Sequence, residues 1–196
     1  LPLPGLDVHV WKPNSILLKK SLAMNNFKFL TLLLVVSLGL NSACTNYYYI
    51  VRHAEKGDGS PNDPNLSDAG RRRALVLCDS LRNKNISKIF VSQYVRTQQT
   101  AQPTAGLLGT TPTPYDAHAN VSVLADQMKA SGDVNLLVVG HSDTVPALIL
   151  NLTGENIGNI PDDDYDNFFV IKRVRNNNNN VTFTLVRRGT YGAASP

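Results

Sequence analysis

The sequence predicts an α/β protein: an open, mostly parallel sheet flanked by helices on both faces, with an edge hairpin near the C-terminus. Three observations predict it. Short apolar runs alternate with amphipathic stretches from residue 46 onward. One of those runs, "VNLLVVG" (134–140), is apolar save for Asn135, the mark of a central strand covered on both faces. The last two runs are separated only by "RNNNNN", which needs to be no more than a turn.

Each element follows from local chemistry. Tyr47–Val51 is the first strand, and "GDGSPNDPN" (57–65) is a loop rich in Gly, Pro and Asp. "LSDAGRRRALVLCDSLRNKN" is a helix with Ser67 as N-cap, and its residues Ala74, Leu75, Leu77, Cys78 and Leu81 share a face. Cys78 is then a small core residue. Arg71–Arg73 cluster in the first turns, where a charge run is expected on a solvated face. Lys88–Ser92 is the second strand. "RTQQTAQPTAGLLG" is the next helix, with a kink or early break expected at Pro103. "TPTPYDAHAN" reads as an irregular connection and "VSVLADQMKASG" as a helix ending at Gly132. "DTVPALILNLTG" tolerates Pro146 in its first turn. "NFFVIKRV" and "VTFTLVRR" form the hairpin. The acidic "PDDDYDN" (161–167) lacks the Gly and distal Glu of an EF-hand and reads as a solvated loop. One domain, 46–190, accounts for all of these elements.

The leader has a different character. "MNNFKFLTLLLVVSLGLNSAC" (24–44) has a basic start at Lys28, an apolar run from Phe29 to Leu40 and small residues before a cysteine. This is the pattern of a secretory signal over 24–43, and the apolar run is too short for the ~20 residues of a membrane span. Cys44 after Ser42-Ala43 resembles the acylation site of a bacterial lipoprotein, with Asn41 where leucine is usual. The chain is therefore expected to be exported, with Cys44 as its lipid anchor and only membrane contact. Residues 1–23 precede Met24 and are expected to be upstream sequence read through from an over-long gene model. The leader also explains the charge. The whole chain is +4, but Lys12, Lys19, Lys20 and Lys28 face only Asp7 within residues 1–43, and the remainder is close to neutral at +1. That balance gives no support to a nucleic-acid partner.

Three strands end in polar, chemistry-bearing residues. The first runs into Arg52-His53, the second into Ser92 with Arg96 four residues on, and the most apolar one into Gly140-His141-Ser142. Ligands of open α/β sheets bind beyond the carboxyl ends of the strands. Parallel neighbours would bring two arginines and two histidines into one cationic pocket. Arginine forks match phosphate oxygens, and a neutral imidazole can accept a phosphoryl group. The chain has no P-loop motif, and fixed Arg and His charges leave no need for a metal or cofactor.

"VRHAEK", "VSQYVRTQQTA" and "VVGHSDTVPAL", in that order, resemble the histidine phosphatase superfamily, of phosphoglycerate-mutase-like fold, and "LSDAGRRRA" fits its helix start. The resemblance implies that His53 is the phosphate-accepting nucleophile and that Arg52, Arg96 and His141 hold the phosphate. It also implies a small phosphorylated substrate and a carboxylic acid that protonates the leaving group. Asp116, with Asp126 behind it, and Asp143 are the candidates for that acid, and Glu55 is a positioning group. A phosphomutase, or a lipid-anchored protein that binds phosphate without turnover, remains as an alternative. Loops 57–65 and 109–120 are expected to set specificity.

Overall fold

The computed structural model describes residues 43–195. The upstream segment expected at 1–23 and the signal peptide expected at 24–43 lie outside the described residues, Ala43 excepted. The elements are β1 (Cys44–Arg52), α1 (Asp68–Leu81), β2 (Ile86–Ser92), α2 (Val95–Leu108), β3 (Thr113–Tyr115), α3 (Val121–Ala130), β4 (Asn135–Gly140), α4 (Thr144–Thr153), β5 (Asn167–Arg175) and β6 (Val181–Thr190). The six strands form one sheet in the order β3-β2-β4-β1-β5-β6. Strands β3, β2, β4 and β1 are parallel, while β5 runs antiparallel to both β1 and β6. The predicted α/β class and the C-terminal hairpin at the sheet edge are both present.

The period of two along a strand divides the core. Tyr48, Ile50, Leu136 and Val138 point to one face and pack under Leu124 and Met128 of α3 and Leu148 and Ile149 of α4. Tyr49, Val51, Leu137 and Val139 point to the other and pack under Leu77 and Leu81 of α1 and Ala101 and Ala105 of α2. Strands β1 and β4 are buried on both faces, which is why their sequences read as unbroken apolar runs.

Four local expectations need correction. Strand β1 starts at Cys44, three residues before Tyr47, because β5 pairs with it as far as Arg175. The connection "TPTPYDAHAN" contains β3, a three-residue edge strand whose Pro114 would be barred from a central position. Of the kink or early break expected at Pro103, the break is absent, since helix α2 runs through it to Leu108. The lost amide costs one hydrogen bond, while Ala101 and Ala105 on either side remain packed on the sheet. Arg73 is not on a solvated face: it is 4% exposed and donates to Glu55 Oε1 from Nε (2.9 Å) and Nη2 (2.6 Å).

Helix α1 begins where predicted, with Ser67 Oγ accepting from the Gly70 amide at 3.0 Å. Gly70 lies so close to the chain after β1 that a Cβ there would stand 2.4 Å from the Glu55 carbonyl oxygen. Ser67 donates its own amide to that same carbonyl (3.0 Å). The helix start is thereby locked against the segment that follows Arg52-His53.

Candidate active site

Register, not proximity in sequence, builds the site. Arg52 lies opposite Gly140 in the β1–β4 ladder, and the His53 amide continues the ladder by donating to the Gly140 carbonyl at 2.9 Å. Val91 lies opposite Val139 on the other side of β4, which places Ser92 beside the same strand end. The two imidazoles that leave β1 and β4 consequently meet, with ring centroids 5.3 Å apart and edge-on. A cavity of about 290 Å³ opens there, lined among others by Arg52, His53, Tyr94, Arg96, His118 and His141.

His53 is 3% exposed, and its Nδ1 lies 2.8 Å from the Ala54 carbonyl oxygen. A carbonyl can only accept, so Nδ1 carries the proton and Nε2 keeps a lone pair. Ala54 is itself held, since its amide donates to Thr100 Oγ1 at 2.9 Å. Burial, opposed by the Ala54 hydrogen bond and reinforced by the charge of Arg52, pulls the His53 pKa from 6.5 down to about 3. The imidazole is therefore neutral, as a nucleophile must be.

His141 bridges two other elements. Its Nε2 is 2.8 Å from Ser92 Oγ, and its Nδ1 is 3.4 Å from Nη2 of Arg96. A guanidinium can only donate, which makes Nδ1 the acceptor and puts the ring proton on Nε2, facing Ser92. The Ser92 hydroxyl lies 2.9 Å from Thr97 Oγ1, and Thr97 donates on to the Tyr94 carbonyl at 2.8 Å. Ser92 and Thr97 are fully buried, so this chain fixes the ring without help from solvent. Burial, with Arg96 adding to it, lowers the His141 pKa to about 4.

The two arginines enter differently. Arg96 lies over the Tyr94 ring at 4.2 Å and reaches Asp63 at 3.4 Å. Arg52 is 1% exposed and stacks over Tyr165 at 4.4 Å. Its Nη1 donates to the carbonyls of Pro161 (2.6 Å) and Asp164 (3.0 Å), and its Nη2 to that of Asp162 (3.0 Å). The acidic 161–167 stretch is thus more than a solvated loop, since its backbone grips a buried guanidinium. In both arginines Nε is buried and has no hydrogen-bond partner. Two unsatisfied cationic donors beside one cavity are expensive unless an anion completes them.

The acid candidates separate. Asp143 lines the cavity, and its Oδ1 accepts from the Thr144 amide (2.6 Å) as the N-cap of α4. Asp116 lines an adjacent hollow of about 330 Å³, and its Oδ1 accepts from the His118 amide at 2.9 Å. Asp126 is on α3, paired with Lys129 at 3.3 Å. Glu55 is the partner of Arg73 and is turned to structure. Tyr94, His118, Lys56 and Asp162 line the cavity without having been expected there. For His118 a signal existed, an unassigned histidine inside a loop expected to face substrate.

Residues 48–119 match the family model of the histidine phosphatase superfamily, branch 1. The matched stretch holds Arg52, His53 and Arg96 and stops short of His141. Solved structures with the same fold include a candidate phosphohistidine phosphatase SixA from Agrobacterium tumefaciens, at 20% identity and a TM-score of 0.57, covering 74% of this chain and 96% of that one. The protein histidine phosphatase SixA in complex with tungstate gives 17% identity and a TM-score of 0.57, over 74% of this chain and 96% of that one. A mycobacterial glucosyl-3-phosphoglycerate phosphatase gives 12% identity and a TM-score of 0.58, over 72% of this chain and 97% of that one. At these identities the likeness is one of fold. No curated protein matches the sequence significantly.

Proposed function

We propose that this protein is a histidine phosphatase superfamily member that hydrolyses a small phosphomonoester through a phosphohistidine at Nε2 of His53. The observation that carries the proposal is the neutral imidazole itself. His53 has its proton fixed on Nδ1 by Ala54 and its lone pair on Nε2, in a cavity shared with Arg52, Arg96 and His141. The Nε lone pair attacks phosphorus, and the three cationic or donor groups hold the equatorial oxygens, whose charge they stabilise. Water then cleaves the N–P bond and returns His53 to its starting state. His141 serves this best by turning a proton toward phosphate, and Ser92 can reverse its hydroxyl to permit that tautomer, because a hydroxyl both donates and accepts.

The test is release of p-nitrophenol from p-nitrophenyl phosphate by the purified full chain, with and without EDTA. Release that resists EDTA, is abolished in His53→Ala, and passes through an acid-labile label on His53 is the expected result. Phosphate uptake without release would reduce the site to a binding pocket, and its reappearance on a second hydroxyl would make the protein a mutase. We also propose export with acylation at Cys44, which is exposed and free at the start of β1. Mass spectrometry of the membrane fraction should find a diacylglyceryl adduct on Cys44, and an unmodified thiol there would count against it.

A further inference from the structure

We propose that His118, and not a carboxylate, is the catalytic residue that protonates the leaving group. The inference rests on the phosphatase reading above and adds its missing acid. His118 lines the same cavity as His53 and the two arginines. The segment before it is pinned: the Ala117 amide donates to Gln93 Oε1 at 2.9 Å and the His118 amide to Asp116 Oδ1 at 2.9 Å. Its Nε2 is 3.0 Å from the Tyr94 hydroxyl, and the two rings meet edge-on at 6.0 Å. Tyr94 in turn stacks edge-on against His141 at 5.2 Å and carries Arg96 on its face. A side chain that is exposed yet held at its backbone, ring and hydroxyl partner is built to meet something in the cavity mouth.

The carboxylates of the site have other employment. Asp143 caps α4, Asp116 accepts the His118 amide and lines the neighbouring hollow, and Asp162 is the ion partner of Arg52 at 3.6 Å. The His118 ring has no carboxylate partner among the hydrogen bonds and ion pairs of the described residues, and an imidazole can carry a proton to a leaving group. In the first step the Nε2–P bond of His53 forms as the P–O bond to the leaving group breaks. The departing oxygen takes a proton from His118, which becomes neutral. In the second step neutral His118 takes a proton from water as its oxygen attacks phosphorus, the N–P bond breaks, and inorganic phosphate leaves with both histidines restored.

The experiment compares kcat/KM for p-nitrophenyl phosphate and benzyl phosphate, substrates of similar size whose leaving groups differ greatly in basicity. This ratio reports the step in which the leaving group departs. In the full-length His118→Gln variant, p-nitrophenyl phosphate should lose no more than about 3-fold, since a good leaving group needs no proton. Benzyl phosphate should lose on the order of 10²-fold, the lower end of general-acid contributions. Equal losses for both substrates would make His118 a mere anion binder and overturn the proposal. So would a leaving-group dependence that moves with Asp143→Asn instead. If the unmodified chain hydrolyses neither ester, the phosphatase reading itself has failed and this inference falls with it.

Discussion

Arg52 and Arg73 are alike in nearly every respect but one. Both are almost fully buried, both stack on a tyrosine (Tyr165 at 4.4 Å and Tyr191 at 5.7 Å), and both donate to backbone carbonyls of a loop. Arg73 also has a carboxylate in contact, Glu55, at 2.6 Å. Burial opposes the charge of Arg73, but Glu55 outweighs it, and the guanidinium is held above its ordinary pKa. Arg52 has only an exposed Asp162 side chain at 3.6 Å and an Nε with no partner, and burial pulls its pKa down. Arg73 has its counter-charge in contact within the fold, while Arg52 has only an exposed carboxylate at the longer distance. A buried cation without a close counter-charge is costly, so an anion bound beside Arg52 would be stabilising.

Substituting each arginine should split stability from turnover. Arg73→Met leaves the partly buried Glu55 without its partner and should cost about 3 kcal/mol of unfolding free energy, with kcat per folded molecule little changed. Arg52→Met should do the reverse. Its carbonyl partners lie in a loop that water can reach, so the fold should survive, while turnover of p-nitrophenyl phosphate drops on the order of 10²–10³-fold. Urea denaturation beside steady-state kinetics reads both. Comparable stability losses with unchanged turnover in Arg52→Met would erase the contrast.

An oxyanion should complete Arg52 and do nothing for Arg73. Tungstate at about 100 times its Kd should stabilise the native protein by about 2.7 kcal/mol, and this gain should vanish in Arg52→Met and persist in a mild Arg73 variant. The same anion should alter the pH response. His53 and His141 stay neutral in the fold down to about 3 and about 4, from an ordinary 6.5. The unfolded chain takes up both protons below about 6.5, so it binds more protons than the native state and stability falls as pH drops from 6.5 toward 4. His141→Asn should flatten that slope, and bound tungstate should reduce it by favouring the protonated rings. A slope unchanged in His141→Asn would mean that His141 does not titrate as its burial implies.

The smallest effect concerns how Glu55 and the site segment are held together. Gly70→Ala forces a Cβ against the Glu55 carbonyl and should cost about 1–3 kcal/mol, measured by urea unfolding. The Arg73 contact should weaken before the His53–His141 contact does, because the latter is tied by the β1–β4 ladder.

Much of this architecture was legible in the residues. Strands β1 and β4 declare themselves because burial on both faces demands continuous apolar runs. Helix α1 declares itself because Ser67 supplies the cap that its first amides need. Arg52-His53, Arg96 and His141 stood out because polar groups directly after apolar strands are conspicuous. Strand β3 was hidden, since three residues including a proline carry no periodicity. Arg73 was hidden because a charge run looks the same whether or not one of its members turns inward to a carboxylate 18 positions away.

What the amino-acid order alone determined is therefore the set of local elements and the identity of the groups at their ends, because propensity, capping and hydrophobic period act over a few residues. Only the tertiary structure decided which of those groups meet. Pairing β1 against β4 set the two imidazoles 5.3 Å apart, and the loop at 116–118 brought His118, not Asp116, to the cavity they share. Contact across such separations depends on strand register and loop path, which no short-range pattern encodes.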